Sequence, residues 1–263
     1  MKLATGYLEK HGSTSPRLDA ELLLAHSLRL RRLDLYLNFE KPLADSELVP
    51  YRELIARRGR GEPVAYLTGR KEFMGLEFEV TPAVLVPNPD TEALVTRAVA
   101  WARELASVRI ADVGTGSGCI AISLAHFLPS ALAHASDISP AALEVARRNV
   151  ARHGLESRVQ LFEGDLLEPL TGRYDLIVAN LPYLPEGAEL PAEVTAQPAI
   201  ALYGGAREVN RLLEQATSRL ADQGRVMLEV DAGMLAEVVL DGWAGHAVHR
   251  DLAGRERVLE AWM

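Results

Sequence analysis

The stretch VRIADVGTGSGCIAISLA, residues 108–125, passes from a β-branched apolar run through three closely spaced glycines into an apolar run of helical length. A strand that feeds a glycine turn and then a helix is the unit from which parallel sheets are built. Gly114, Gly116 and Gly118 allow a tight turn, and they let backbone N–H groups come close to a ligand at the helix N-terminus. A nucleotide-like cofactor is implied; a purely structural turn is the competing reading. Gly116, Gly118 and Ala121 also satisfy the dinucleotide spacing GxGxxA. Asp137, about 20 residues on at the end of the next strand, would hold ribose hydroxyls in either case. Asp137 could instead cap the helix that starts near Pro140. These residues alone do not separate a nicotinamide enzyme from a methyltransferase.

Outward from this unit, the chain divides into three parts. Residues 1–65 carry helical apolar spacing in SPRLDAELLLAHSLRL and ADSELVPYRELIARRG, with Ser15 before Pro16 and Asp45 or Ser46 as expected caps, and are expected to form a small helical domain. Residues 66–90 read as a linking β-hairpin, with VAYLTG, LEFEVT and AVLVP alternating in strand fashion around the Gly75 turn. From residue 91 to 263, strands and helices alternate through VRIADV, ALAHASD, RVQLFEG, DLIVAN and GRVMLEV to a final pair near HAVHR and ERVLEAW. That alternation implies an α/β fold, a mostly parallel sheet with helices on both faces.

Composition bounds the function classes. With 263 residues, 48% apolar and 24% charged, the chain has the balance of an ordinary globular protein. A net charge of −8 does not suit a surface that grips nucleic acid unaided, so a protein or small-molecule substrate is favoured and stable nucleic-acid binding is not expected. The single cysteine, Cys119, excludes an internal disulfide and a multi-cysteine metal site, and the seven histidines form no HExxH cluster. His246 and His249 read as strand surface. No metal is expected. The start MKLATGYLEKHG lacks an apolar signal core and no uncharged run spans a bilayer, so a cytoplasmic enzyme is expected; its expected state is a monomer.

A second stretch, YDLIVANLPY at residues 174–183, carries the chemistry. Leu176–Ala179 reads as a buried parallel strand, and ligand-facing loops belong at the carboxyl ends of such strands. An amide nitrogen is a poor nucleophile because its lone pair is delocalised. If its two hydrogens are held by the Asn180 side-chain oxygen and the Leu181 carbonyl, the lone pair can be aimed at a sulfonium methyl. Pro182 stiffens that turn and Tyr183 offers a flat face to a planar group. Hydride transfer needs no such turn.

The segments SPRLDAELLLAH, EPVAYLTGRKEFMGLEFEV, VPNPDTEAL, DVGTGSGCIAISLA, ASDISPAALEVARRN, GDLLEPL, VANLPYL, QPAIALYGG and DLAGRERVLEA together resemble the release-factor glutamine methyltransferases, the HemK-like branch of the class I S-adenosylmethionine-dependent methyltransferases. The resemblance implies a seven-stranded Rossmann-like sheet with one antiparallel strand near an edge. It implies S-adenosylmethionine as cofactor and, as substrate, the glutamine in the GGQ loop of bacterial peptide-chain release factors. Residue by residue, it implies Gly114, Thr115, Gly116, Ser117 and Gly118 at the cofactor's methionine end, Asp137 at its ribose, and Asp165 and Leu166 beside adenine. Asn180 would border both ligands, and Asn180 to Tyr183 would hold the glutamine.

Some positions depart from that pattern. NLPY replaces the commoner NPPY, a spelling shared with ribosomal RNA adenine dimethyltransferases. Asn88 stands in place of an Arg, Leu166 in place of an aromatic, and Glu229-Val-Asp-Ala-Gly-Met234 in place of Glu-Ile-Gly-x-x-Gln. A ribosomal-protein glutamine and a flipped adenine remain alternative substrates, and a noncatalytic cofactor-binding adaptor is the rival of another class. The clusters Arg29, Arg31, Arg32 and Arg57, Arg58, Arg60 read mainly as solvated helix faces.

Overall fold

A computed structural model describes every residue of the chain except Phe39 and Leu252, the latter within DLAGRERVLEA. The chain divides into two compact units, Met1–Arg70 with Glu189–Gln197, and Lys71–Ala188 with Pro198–Met263.

The first unit is helical: α1 (Lys2–Lys10), α2 (Pro16–Leu28), α3 (Arg32–Leu37), α4 (Asp45–Gly59) and α5 (Val64–Thr68). Leu8, Leu23, Leu24, Tyr51, Ile55 and Leu67 form its core, and the Tyr51 hydroxyl donates to the Ala20 carbonyl at 3.1 Å. Neither expected cap closes: the Ser15 hydroxyl makes no capping bond, and α4 begins after Ala44, whose N–H donates to the Glu47 carboxylate at 2.8 Å. VAYLT is a helix rather than a strand. Pro63 sets the φ of its N-cap and Gly69, at φ 72°, ends it in the left-handed region, so local termination overrides the β-branched alternation. Arg58 is not part of a solvated face. It is buried, its Nε donates to Asp19 at 2.7 Å, and its other arm pairs with Glu193 from the distant segment 189–197, which holds the short helix that we denote α9 (Ala192–Thr195).

The second unit opens on the hairpin of β1 (Arg70–Phe73) and β2 (Leu76–Glu79). AVLVP adds no strand. Pro82, Pro87 and Pro89 remove three ladder donors within eight residues, and the segment runs as a loop. There follow α6 (Glu92–Ala102), β3 (Val108–Val113), α7 (Cys119–Phe127), β4 (Ala131–Asp137), α8 (Pro140–Arg152), β5 (Val159–Glu163), β6 (Tyr174–Ala179), α10 (Ala199–Leu202), α11 (Ala206–Arg219), β7 (Leu220–Glu229), β8 (Gly245–Arg250) and β9 (Glu256–Trp262).

Seven strands form one sheet in the order β5-β4-β3-β6-β7-β9-β8, parallel except for β9, which runs antiparallel to both its neighbours. Period-two alternation sends Leu176 and Val178 into the core under α6 and α7, and Ile177 and Ala179 into the core under α11. Each such aliphatic side chain is fully buried, a burial that stabilises by roughly 1.5–3 kcal/mol for a Val, Leu or Ile. The chain builds outward from β3 through β4 to β5, then returns to place β6 on the other side of β3. That reversal opens a crevice at the carboxyl ends of β3 and β6, where Val113 lies in register with Ala179 and with Ser136. No helix among the described residues is long and apolar enough to cross a membrane.

Candidate active site

The glycine loop after β3 is shaped by the residue that precedes it. Asp112 is fully buried; its Oδ2 accepts from the Thr115 hydroxyl at 2.6 Å and from the Ala121 N–H at 3.0 Å, closing the loop onto the first turn of α7. Burial pushes this carboxyl up to about 6, against the pull of those two donors and with a further push from Asp137. The Gly114 and Thr115 N–H groups both donate to the Ser136 carbonyl at 2.9 Å, so β4 holds the loop from the side. Asn149 on α8 adds a third tie, its Nδ2 donating to the Ser117 carbonyl at 2.9 Å and to the Glu79 carbonyl of the hairpin at 3.0 Å.

Asp137, at the end of β4, accepts the Gly116 N–H on Oδ2 at 2.8 Å and the Ser139 N–H on Oδ1 at 2.9 Å. The cap of α8 is Ser139, whose hydroxyl accepts the Ala142 N–H at 3.2 Å, so Asp137 is not needed there. Two backbone donors orient its carboxylate and leave each oxygen a further lone pair for a ligand diol. Burial raises its pKa, while the backbone bonds lower it.

The glycine loop and Asp137 help wall a cavity of about 250 Å³ at the crevice. Of the residues the sequence singles out, Gly114, Thr115, Gly116, Ser117, Asp137, Asp165, Leu166, Asn180, Leu181 and Pro182 line it. Gly118 and Tyr183 do not. Gly118 is the left-handed N-cap of α7, and Tyr183 packs half-buried against the core cluster under α11, with burial raising its pKa. Leu166 also adopts a left-handed conformation, φ 48°, and its carbonyl accepts the Ser136 hydroxyl at 2.7 Å. Asp165 is ion-paired to Arg211 of α11 at 2.6 Å.

Asn180 follows β6 directly, and its Nδ2 donates to the Thr91 hydroxyl at 3.0 Å. With the amide nitrogen so engaged, the side-chain oxygen is the atom left for a ligand in the cavity. The turn after it is braced by the LYGG segment: Leu184 N–H donates to the Leu202 carbonyl, and Gly204 N–H donates to the Leu184 carbonyl, each at 3.0 Å. Sequence reading left Asn88, Thr91, Ile138, Ser139, Pro198, Ile200 and Glu208 unassigned, yet all line the cavity. For Thr91 a signal was present, because it sits in VPNPDTEAL beside the cluster of prolines.

The donor set suits one cofactor better than the other. Asp137 would hold a ribose of either cofactor and Asp165 is paired with Arg211, so the charge of the wall weighs through Glu208, which suits a cationic sulfonium better than a pyrophosphate. Among the described residues no group of three or more His, Cys, Asp or Glu side chains could hold a metal ion.

Comparison with known proteins agrees with this chemistry. Residues 1–69 match the family model of the PrmC N-terminal domain, and residues 91–248 match the methyltransferase small domain. The chain is 43% identical to the release factor glutamine methyltransferase of Moorella thermoacetica, over 99% of this chain and 94% of that one. It is 45% identical to the protein of the same name from Geobacter sulfurreducens, over 89% of this chain and 84% of that one. Among solved structures, the hMettl16 catalytic domain in complex with a 3′UTR hairpin shares the fold, with a TM-score of 0.57 at 18% identity, covering 77% of this chain and 82% of that one. The glycine loop, the acid at the end of β4 and the NLPY turn thus lie in a methyltransferase whose cofactor is S-adenosylmethionine, and the chain belongs to the release factor glutamine methyltransferases.

Proposed function

We propose that this protein transfers a methyl group to the side-chain amide nitrogen of the glutamine in the GGQ loop of a peptide-chain release factor. The observation that carries the reading is Asn180, held by Thr91 with its side-chain oxygen available in the same cavity as the glycine loop and Asp137.

S-adenosylmethionine, when bound, supplies the methyl group on a sulfonium. The protein's own residues do the rest by orientation. Gly114 to Ser117 and Asp137 hold the cofactor, and Asp165 and Leu166 flank its adenine. Asn180 Oδ1 accepts one hydrogen of the substrate amide and the Leu181 carbonyl accepts the other, which turns the nitrogen lone pair toward the methyl carbon. Pro182 limits the freedom of the turn, and Tyr183 anchors its far end in the core. The amide nitrogen would take the sulfonium methyl, leaving the cofactor as the neutral thioether, and the surplus amide proton would pass to solvent or a backbone acceptor. The reaction needs alignment in a dry, polar site more than a strong base.

Residues 1–65 are proposed as the partner-binding domain, residues 66–90 as the linker and residues 91–263 as the methyltransferase domain. A release factor is a soluble partner, which favours a cytoplasmic site of action. A transfer assay with labelled cofactor, offered a release factor, a ribosomal protein and ribosomal RNA in parallel, tests the reading. Label on the GGQ glutamine is expected; label on adenine and none on glutamine would overturn it.

A further inference from the structure

An asparagine amide has two nearly isosteric ends, and rotation by half a turn exchanges the acceptor for the donor. If Asn180 presented its NH2 to the NH2 of a glutamine, two donors would face each other and the substrate could not be held. Something must therefore choose which end faces the cavity. The choice is made by Thr91, which is 2% exposed at the end of the turn Pro89–Thr91 and accepts from Asn180 Nδ2 at 3.0 Å. A hydroxyl can both accept and donate, so Thr91 discriminates only if its own proton is directed elsewhere.

Glu229, at the end of β7, provides that direction. It is 1% exposed, neither of its oxygens has a hydrogen-bond partner, and the Thr91 hydroxyl is near enough to draw its carboxyl down, so a buried acceptor stands unfilled within reach of that hydroxyl. We propose that Thr91 and Glu229 are positioning residues: the Glu229 carboxylate accepts a hydrogen bond from the Thr91 hydroxyl, Thr91 Oγ1 can then only accept from Asn180 Nδ2, and Asn180 Oδ1 is left toward the substrate. This inference rests on the glutamine reading for its purpose, but the hydrogen-bond chain itself belongs to the free protein.

The turn that carries Thr91 is itself fixed. The Asn88 side chain accepts the Asp90 N–H at 3.1 Å, and Asp90 is ion-paired to Arg255 at 3.0 Å and to Arg257 at 3.1 Å, both from the GRER segment that leads into β9. Burial pushes the Glu229 carboxyl up to about 7; the Thr91 hydroxyl and Arg257 draw it down, and Asp90 raises it. Tyr183 and Cys119 also feel its charge, and Asp231 acts on the same Tyr183. Once protonated, Glu229 becomes a donor. Thr91 can then accept from it and donate to Asn180 Oδ1, which turns the NH2 into the cavity.

The test uses the full-length wild type, Thr91→Val, which keeps shape and loses the hydroxyl, and Thr91→Ser, which restores it. In the free protein, the Asn180 side-chain NH2 resonances, assigned by their loss in Asn180→Asp, should move in Thr91→Val, stay in Thr91→Ser, and shift in wild type as pH falls through neutrality. In methyl transfer to a release factor, Thr91→Val should lower kcat by at least about tenfold with KM for S-adenosylmethionine nearly unchanged, and Thr91→Ser should recover most of it. Wild-type kcat should decline toward acid with a step that Glu229→Gln removes. Asn180 resonances unaffected by Thr91→Val, or a serine variant as impaired as the valine one, would overturn the proposal. If wild type modifies no glutamine while the resonances behave as expected, the hydrogen-bond chain stands and the substrate reading is what fails.

Discussion

Leu181 packs into the space that Gly114 leaves open: a Cβ added to Gly114 would lie 3.3 Å from Leu181 Cδ2. The NLPY turn and the glycine loop thus share one contact, and the departure from NPPY has a structural role beyond its carbonyl. Leu181 is 6% exposed and belongs to the core cluster under α11. Leu181→Pro keeps the acceptor oxygen but shortens the side chain, so glutamine methylation should stay within about tenfold of wild type, or ~1.4 kcal/mol in the barrier. Thermal unfolding should show a loss of about 1–3 kcal/mol, the range for trimming a buried aliphatic side chain by part of its length. Gly114→Ala meets both this contact and a φ of 70°, and should raise KM for the cofactor as well as lower stability.

Gly204 is required for a different reason. A Cβ there would stand 2.4 Å from the Pro182 carbonyl oxygen, closer than any side chain tolerates, and the obstacle is backbone. Gly204→Ala should therefore displace the NLPY turn and lower kcat by about a hundredfold, the scale of an angstrom-size misplacement. Cofactor affinity, measured by calorimetry, should change far less; an unchanged kcat would show that the LYGG segment does not brace the turn.

Asp137→Ala removes the carboxylate proposed to accept the ribose hydroxyls. Each lost bond to a charged group is worth roughly 1.5–3 kcal/mol, so S-adenosylmethionine binding should weaken by at least about tenfold. Because Asp137 also holds the Gly116 and Ser139 N–H groups, Asp137→Asn should keep part of the loop geometry and fall between alanine and wild type. Competition by a dinucleotide in calorimetry would contradict the assignment.

Glu229 makes stability depend on pH in a stated direction. Its folded-state pKa, about 7, lies above the ordinary 4.5, so the folded protein binds this proton more tightly than the unfolded chain. Stability from this group is present below the unfolded value and is lost as pH rises from about 4.5 to about 7. The difference in unfolding free energy between Glu229→Gln and wild type should therefore grow across that window toward ~3 kcal/mol as an upper bound. A difference that is flat with pH, measured by denaturant unfolding, would rule out the shift.

Arg58 joins Asp19 to Glu193 with almost no solvent contact. Arg58→Met leaves two acids facing each other without their cation, and breaking a buried pair costs about 3–5 kcal/mol. Loss of cooperative unfolding of the helical unit is expected, and Asp19→Asn combined with Arg58→Met should recover part of it. Near-wild-type thermal stability of Arg58→Met would mean that the pair is not structural.

The order of strands and helices, the glycine loop and the turn after β6 could all be read from the chain, because each depends on residues adjacent in sequence: apolar period, glycine φ, proline and its neighbours. The same local logic misread VAYLT and AVLVP as strands. Their alternation was genuine, but Pro63, Gly69 and the prolines from Pro82 to Pro89 decide the backbone there, and no partner strand competes for it. What only the tertiary structure decided are the relations across long separations. Thr91 meets Asn180, Leu181 meets Gly114, and Gly204 meets Pro182 because the β3–β6 reversal brings loops from distant strands to one crevice, while Arg58 meets Glu193 because the helical unit takes in residues 189–197. A pattern of residue types shows which groups can accept, donate or carry charge. Which of two amide atoms faces a ligand, and which carboxyl keeps its proton near neutral pH, depends on burial and on partners tens of residues away, and those exist only once the sheet has closed.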